Sequence, residues 1–330
     1  MPAADDMSGR YARQEILPEV GTHGQARLGR ASALVVGAGG LGCPVLQYLT
    51  AAGVGRLTIV DHDRVEESNF HRQPLYRMSD IGQLKVHAAR TALAALNPLT
   101  RIETVGERLT SVNATSLIEA ANVVIDAADS FAVTYLLSDT CQRLAKPLVS
   151  ASVLGLAGYV GVFCGGAPSY RAVFPELPRA AGSCAEAGVL GTAVGVLGTL
   201  EAHLALAVLL DWQPPVHGRM LSLDLRTLHV GEFSFAAASE PTEPPVPFIA
   251  PAEVQSSDVV IDLRSLSEAP VSPFVSALRL EVESIERAGV ELPRDARIVL
   301  CCRSGLRAWR AARALRSRGL ERLALIALGE

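Results

Sequence analysis

The chain of 330 residues is 49% hydrophobic and 19% charged, which is enough length for two domains and enough apolar material for a buried core. A net charge of −4 and an isoelectric point near 6.0 argue against a nucleic-acid binder, and the opening MPAADDMSGRYARQE lacks the apolar run of a secretory leader. Six cysteines without a CxxC, and seven histidines without ligand spacing, argue against a zinc centre or a disulfide framework and for reduced thiols in a cytoplasmic protein.

In chain order, ALVVGAGGLGCPVLQYLTAAGVGRLTIVD reads as strand, Gly-rich turn, helix and strand, the second strand ending at Asp61. Helices are expected over 82–96 and 130–145, and strands over 122–129 and 147–153. This alternation predicts a Rossmann-like α/β domain with a mostly parallel sheet covered on both faces, and places ligands at the carboxyl ends of the strands. An uncharged run from Ala187, broken at Glu201 and His203, is too short and Gly-rich to cross a membrane and reads as a buried helix. Residues 236–252 carry five prolines between 241 and 251 and read as a stiff, extended linker. Beyond it, 259–264, 297–302 and 323–328 look like short strands, with a helix over 308–320, forming a second, smaller α/β domain over 253–330.

Gly37, Gly39 and Gly42 form GxGxxG at the strand-to-helix turn, where glycines let the backbone approach a polyphosphate. Asp61, about twenty residues on, suits a ribose hydroxyl. NAD and ATP share these features. Asn69, Arg72 and Gln73 after the second strand, Lys85 on the next helix and Asp129 closing VVIDAAD tilt the balance. Asn, Arg and Lys converging on a Gly-rich loop suit a triphosphate, with Asp129 as a Mg²⁺ ligand. Only two of the 30 basic residues are lysines, Lys85 and Lys146. A lysine in an arginine-rich chain marks a place that needs a compact ammonium.

RYARQ, VGAGGLG, TIVDHDRVEESNFHRQ, GQLK and SCAEAGVLGTAVGVLGTLEA together resemble the ThiF/MoeB/HesA family, adenylyltransferases related to the ubiquitin-activating enzymes. The resemblance covers about 8–235, within a first domain of 1–235. It implies ATP–Mg²⁺ as cofactors, adenylation of the C-terminal Gly-Gly carboxylate of a ubiquitin-like sulfur carrier, and a homodimer. It implies that Gly39 and Gly40 lie against the phosphates, with Gly37 and Gly42 shaping the turn, and that Asp61 and Asp63 help bind the nucleotide. Asn69, Arg72, Gln73 and Lys85 then contact the triphosphate, Asp129 holds Mg²⁺, and Arg13 reaches the partner subunit's ATP. Ser130 and Thr134 stand where the family usually has Asn and Arg. Ser169 and Ala172 replace its first zinc-binding pair, and the second is missing from GEFSFAAAS, so no structural zinc is expected. Cys184 occupies a position that carries a covalent or sulfur-relaying cysteine in parts of the family.

IVLCCRSGLRAW raises the question of which cysteine reacts. Backbone N–H groups at a helix N-terminus, with Arg303 and Arg307, favour a thiolate. Cys301 with Arg307 has the spacing of a tyrosine-phosphatase loop but lacks its glycine and its preceding histidine. Cys302, Gly305 and Arg307 give Cys-x-x-Gly-x-Arg, and VLCCRSGLRAWRAARALRSRG resembles the rhodanese active loop and following helix. That resemblance implies a Cys302 persulfide, loaded by a cysteine desulfurase or another sulfur donor, and an inert Cys301. The whole chain then reads as an adenylyltransferase and sulfurtransferase that makes a carrier thiocarboxylate. Two alternatives remain at this point: a non-catalytic scaffold that binds nucleotide and carrier, and an NAD-linked oxidoreductase.

Overall fold

The computed structural model describes residues 9–177, 188–287 and 289–329. Two short helices, α1 (Ala12–Glu15) and α2 (Gly21–Arg30), precede β1 (Ser32–Val36), α3 (Gly42–Ala51), β2 (Arg56–Val60), α4 (Lys85–Leu96), β3 (Arg101–Val105), α5 (Ser111–Glu119), β4 (Val123–Asp126), α6 (Phe131–Arg143) and β5 (Pro147–Leu154). β6 (Ala157–Cys164), the short α7 (Tyr170–Val173), α8 (Gly191–Leu210), β7 (Arg219–Asp224) and β8 (His229–Ser234) follow. These build one eight-stranded sheet in the order β3-β2-β1-β4-β5-β6-β7-β8, parallel through β5 and antiparallel beyond it. The strand order reverses between β1 and β4, and that switch point opens a crevice at the carboxyl edge, beside the Gly-rich turn.

A second, four-stranded parallel sheet runs β10 (Leu278–Arg279), β9 (Val259–Asp262), β11 (Ile298–Cys302), β12 (Leu323–Ala327). Two helices belong to it, α9 (Val282–Glu286) and α10 (Leu306–Arg316), the second beginning and ending earlier than the sequence suggests.

The sheets are packed together. Trp309 of α10 lies 5.8 Å from the Tyr135 ring of α6, and the buried Arg171 guanidinium sits over both rings at 4.5 and 5.3 Å. Asp139 fixes Arg171 through two hydrogen bonds of 2.6 and 2.9 Å. Leu34 and Val124 of the first sheet and Leu300 and Leu325 of the second belong to one buried apolar cluster. The proline-rich stretch joins this packing. Val246, Phe248 and Ala250 are buried, Ile249 donates to the Leu325 carbonyl, and Leu325 donates to the Pro247 carbonyl, both at 2.9 Å. That pairing covers the free edge of β12.

The apolar run near 190 does not stop at Glu201. α8 continues through Glu201 and His203 to Leu210, so it is long and apolar enough to cross a bilayer by length and composition, yet it packs on α3 and β5 and buries half of its most apolar stretch. Glu201 is fully buried, and neither carboxylate oxygen finds a hydrogen-bond partner among the described residues. Burial, reinforced by the nearby Asp126, pushes its carboxyl well above the usual range. A folded chain that holds this proton when the unfolded chain has released it loses stability as pH rises above the unfolded value of about 4.3, by up to about 1.4 kcal/mol per pH unit until the folded value is passed. Glu201→Gln removes this loss. Urea unfolding of variant and parent from pH 5 to 8 should therefore give stability curves that diverge with rising pH in the variant's favour. Parallel curves would contradict a protonated Glu201.

Candidate nucleotide site and cysteine loop

β1 delivers the chain to Gly37, whose φ of +99° belongs to glycine and whose added Cβ would come within 2.5 Å of the Ala127 carbonyl oxygen. A Cβ on Gly42 would overlap the Gly37 carbonyl, so the turn closes only with glycine at both places. Gly40 abuts Val194 of α8, at 2.6 Å from where its Cβ would stand. Gly39 is uncrowded, a Cβ there meeting only Gln73 Nε2, at 3.8 Å. Bare backbone is thus presented where α3 begins, the end of a helix that attracts anions.

Asp61, just past β2, holds this turn. One carboxylate oxygen accepts the Ala38 N–H and the other the Asp63 N–H, each at 2.7 Å. Tyr76, which sequence reasoning passed over, donates its hydroxyl to the Ala38 carbonyl at 2.6 Å. Lys85, the first residue of α4, is buried, and its ammonium sits 2.9 Å from an Asp63 carboxylate oxygen. Burial alone would raise the Asp63 carboxyl, but Lys85, with His62 and Arg108 nearby, outweighs it and holds the group below the usual carboxylate range. Asn69 is buried in the turn 67–69, accepting the Glu66 N–H at 3.1 Å. Arg72 folds back on its own loop, donating to the Ser68 carbonyl at 3.1 Å and lying 2.7 Å from His71 Nε2. Gln73 is buried, and its Oε1 has no hydrogen-bond partner among the described residues.

Asp129 is exposed in the loop after β4, across the switch point. Asp126, at the end of β4, is buried, and burial pushes its carboxyl up to about 6 against the hydrogen bonds from Thr134 and Ser150. Thr134 is thus buried and turned inward, its hydroxyl within reach of both Asp126 and the Ser130 carbonyl, the latter at 3.3 Å.

Arg13 stands elsewhere. Its helix α1 is pinned to the far end of α3, where Gln14 donates to the Ala52 carbonyl at 3.1 Å and Tyr11 crowds Gly53. The ten residues of α3 span about 15 Å at 1.5 Å per residue, so Arg13 occupies the edge of the sheet opposite its own Gly-rich turn.

A family model described as the ThiF family matches residues 11–244. The chain belongs to the ThiF family. A sulfur carrier protein adenylyltransferase of Thermus thermophilus is 50% identical over 223 residues, covering 65% of this chain and 82% of that protein. The adenylyltransferase and sulfurtransferase MOCS3 of Anopheles gambiae is 45% identical, covering 67% of this chain and 51% of that protein, and the Bos taurus MOCS3 is 47% identical over 65% and 48%. The match thus spans about half the length of these MOCS3 relatives. Among solved structures, Escherichia coli MccB with succinimide superposes with a TM-score of 0.61 at 18% identity, over 71% of this chain and 73% of that one. PaaA does so at 0.59 and 21%, over 71% and 74%. At such identities these two show a shared fold.

At the positions of the family's first zinc pair, Ser169 caps α7 by accepting the Ala172 N–H at 3.2 Å and donates to Glu240 at 2.6 Å. Among the described residues, Asp61, His62 and Asp63 form a group close enough to share an ion, but Asp61 already serves backbone amides and Asp63 serves Lys85. Cys184 lies outside the described residues.

Outside the family match, β11 carries both adjacent cysteines and ends at Cys302, where the strand read over 297–302 also ends. Successive strand residues face opposite sides. Cys302 faces the cluster shared with α10, and Cys301 the other face. Burial, together with Asp262, pushes the Cys301 thiol up to about 12, consistent with an inert role. Cys302 Sγ accepts the Gly305 N–H at 3.1 Å, and Gly305 opens α10 with a φ of +89°. Arg307 lies against the same thiol and is braced by the Leu263 carbonyl at 2.9 Å and by Glu268 at 2.7 Å. Arg303 is exposed on the loop, its carbonyl accepting the Gly329 N–H at 2.9 Å.

Proposed function

We propose that this chain uses ATP to adenylate the C-terminal Gly-Gly carboxylate of a ubiquitin-like sulfur carrier, and that Cys302 then delivers sulfur to the activated carbonyl. The observation that carries the first half is a buried Lys85, ion-paired to Asp63, in a ThiF-family site. A buried ammonium needs an anion, and its present partner is a loop carboxylate that is itself half exposed. The residues fit a triphosphate: bare backbone at Gly39 with the Gln73 amide nitrogen nearby as a donor, and the buried Lys85 ammonium past the second strand. Asp129 would hold Mg²⁺, which supplies charge neutralisation.

A carrier carboxylate oxygen attacks the α-phosphorus, the bond to the bridging oxygen breaks, and pyrophosphate leaves with the electron pair. Lys85 and Arg72 offset the negative charge that moves onto it, so catalysis is mostly positioning and electrostatics. Arg13 lies on α1, at the end of α3 opposite its own Gly-rich turn. This supports a homodimer in which it serves the partner's nucleotide.

The second half rests on the loop around Cys302, whose residues resemble a rhodanese. A sulfane-sulfur donor, such as a desulfurase persulfide, loads Cys302. The terminal persulfide sulfur then attacks the acyl carbon, a C–S bond forms, the C–O bond breaks, and AMP leaves. A thiol reductant next attacks the Cys302 sulfur, releasing the carrier thiocarboxylate and leaving a disulfide on Cys302. Family membership favours adenylation over hydride transfer. The test is ATP–pyrophosphate exchange with and without a Gly-Gly-ended carrier from the source genome. Carrier-dependent exchange supports adenylation; ATP binding with carrier bound and no exchange would indicate a scaffold instead.

A further inference from the structure

The loop after β3 joins the two sites. It lies at the carboxyl edge beside the nucleotide crevice, since the Asp61 N–H donates to the Val105 carbonyl at 3.2 Å. Three residues on, Arg108 is exposed and within electrostatic reach of Asp63, the partner of Lys85. The Arg108 backbone is tied to α5 by Asn113 Nδ2, which donates to its carbonyl at 3.0 Å. The Arg108 guanidinium meanwhile packs directly on Gly329, where a Cβ would overlap it. Leu328 and Gly329 in turn donate their N–H groups to the Cys302 and Arg303 carbonyls, both at 2.9 Å. Contacts thus run from Arg108 through Gly329 to the cysteine loop, while the Arg108 charge also acts on Asp63. Nearby, Ser111 and Glu253 pair, and the Ala250 N–H donates to Ser111 Oγ at 2.9 Å, so the same stretch also anchors the second sheet.

We propose that Arg108 is a positioning residue that docks the cysteine loop on the rim of its own chain's nucleotide site, so that a carrier activated by one chain is handed to the Cys302 of that chain. This rests on the sulfur-transfer reading above. Arg108 touches neither reacting atom. Its cation packs on Gly329 and acts on the Asp63 charge, and its long side chain bridges the loop after β3 and the 328–329 backbone, a role that lysine fills in part and alanine does not.

The experiment uses the full chain with Arg108→Ala and Arg108→Lys. In amide hydrogen exchange the alanine variant should speed exchange at Leu328 and Gly329 about tenfold, and lysine should restore most of the protection. Thiocarboxylate formed per carrier adenylated should fall about tenfold in the alanine variant, with pyrophosphate exchange within about threefold of the parent. Unchanged protection at 328–329 would overturn the docking role. Faster amide exchange with undiminished transfer would overturn it too, as would a parallel loss of pyrophosphate exchange, which would put Arg108 in the nucleotide site itself. A parent chain that adenylates the carrier but yields no thiocarboxylate sinks the sulfur-transfer reading instead, a result distinct from any Arg108 effect.

Discussion

Lys85→Ala should lower carrier-dependent ATP–pyrophosphate exchange by about 10²–10³-fold, the usual cost of deleting one preorganised charge from a site that stabilises developing negative charge. The geometry sets that expectation. Lys85 opens α4 and is buried, so its ammonium is held where it is needed before nucleotide arrives. Asp63, its partner, keeps half of its side chain in solvent and can be rehydrated when the pair is broken. The fold should therefore tolerate the change, and the variant's thermal midpoint should stay near the parent's while exchange collapses. Lys85→Arg should restore little, because a planar guanidinium replaces a compact ammonium in a closed space. A variant exchanging at the parental rate would show that the buried cation serves the fold alone.

Cys302→Ser should abolish thiocarboxylate formation and leave pyrophosphate exchange untouched. The hydroxyl cannot carry sulfane sulfur, whatever else it mimics. Cys301→Ser is the internal control. Cys301 faces the opposite side of β11, with its thiol pushed up to about 12, so its loss should spare transfer and cost only stability. Mass spectrometry of the carrier, with a shift for one oxygen replaced by sulfur, reads both variants. Transfer that survives Cys302→Ser would move the chemistry elsewhere in the chain, with Cys184 the first place to look.

The Gly-rich turn was legible because its geometry is local. Gly42 is required by the Gly37 carbonyl five residues back and Gly37 by its own φ of +99°, and Asp61 closes the turn through amides two residues ahead and twenty-three behind. The two cysteines were told apart by loop spacing, Cys302 with Gly305 and Arg307, and strand alternation then sets them on opposite faces. Other features were not. β3 reads RIETV, an edge strand with Arg101 exposed and Glu103 half-exposed, and its pattern resembles a loop. Glu201 read as the end of an apolar run because a buried carboxylate breaks the rule that charges face water. The prolines of 241–251 drew attention away from Val246, Phe248 and Ala250, an alternation that marks a buried extended segment. Arg108 and Gly329 meet only in three dimensions, and no spacing announces them.

That buried segment changes what kind of connection the two sheets have. Had residues 236–252 been a tether, its length would set how often the halves meet, and lengthening it would dilute one against the other. With Ile249 and Leu325 bonded and Phe248 seated under the Gly305 loop, encounter frequency has no meaning here. The two halves should melt in a single calorimetric transition. Extra residues inserted near Pro241 should pass almost unnoticed, while one residue added between Val246 and Ala250 should shift the register and unseat the sheet edge. The chain is spliced at this point, and its reach is decided by a hydrogen-bonded register.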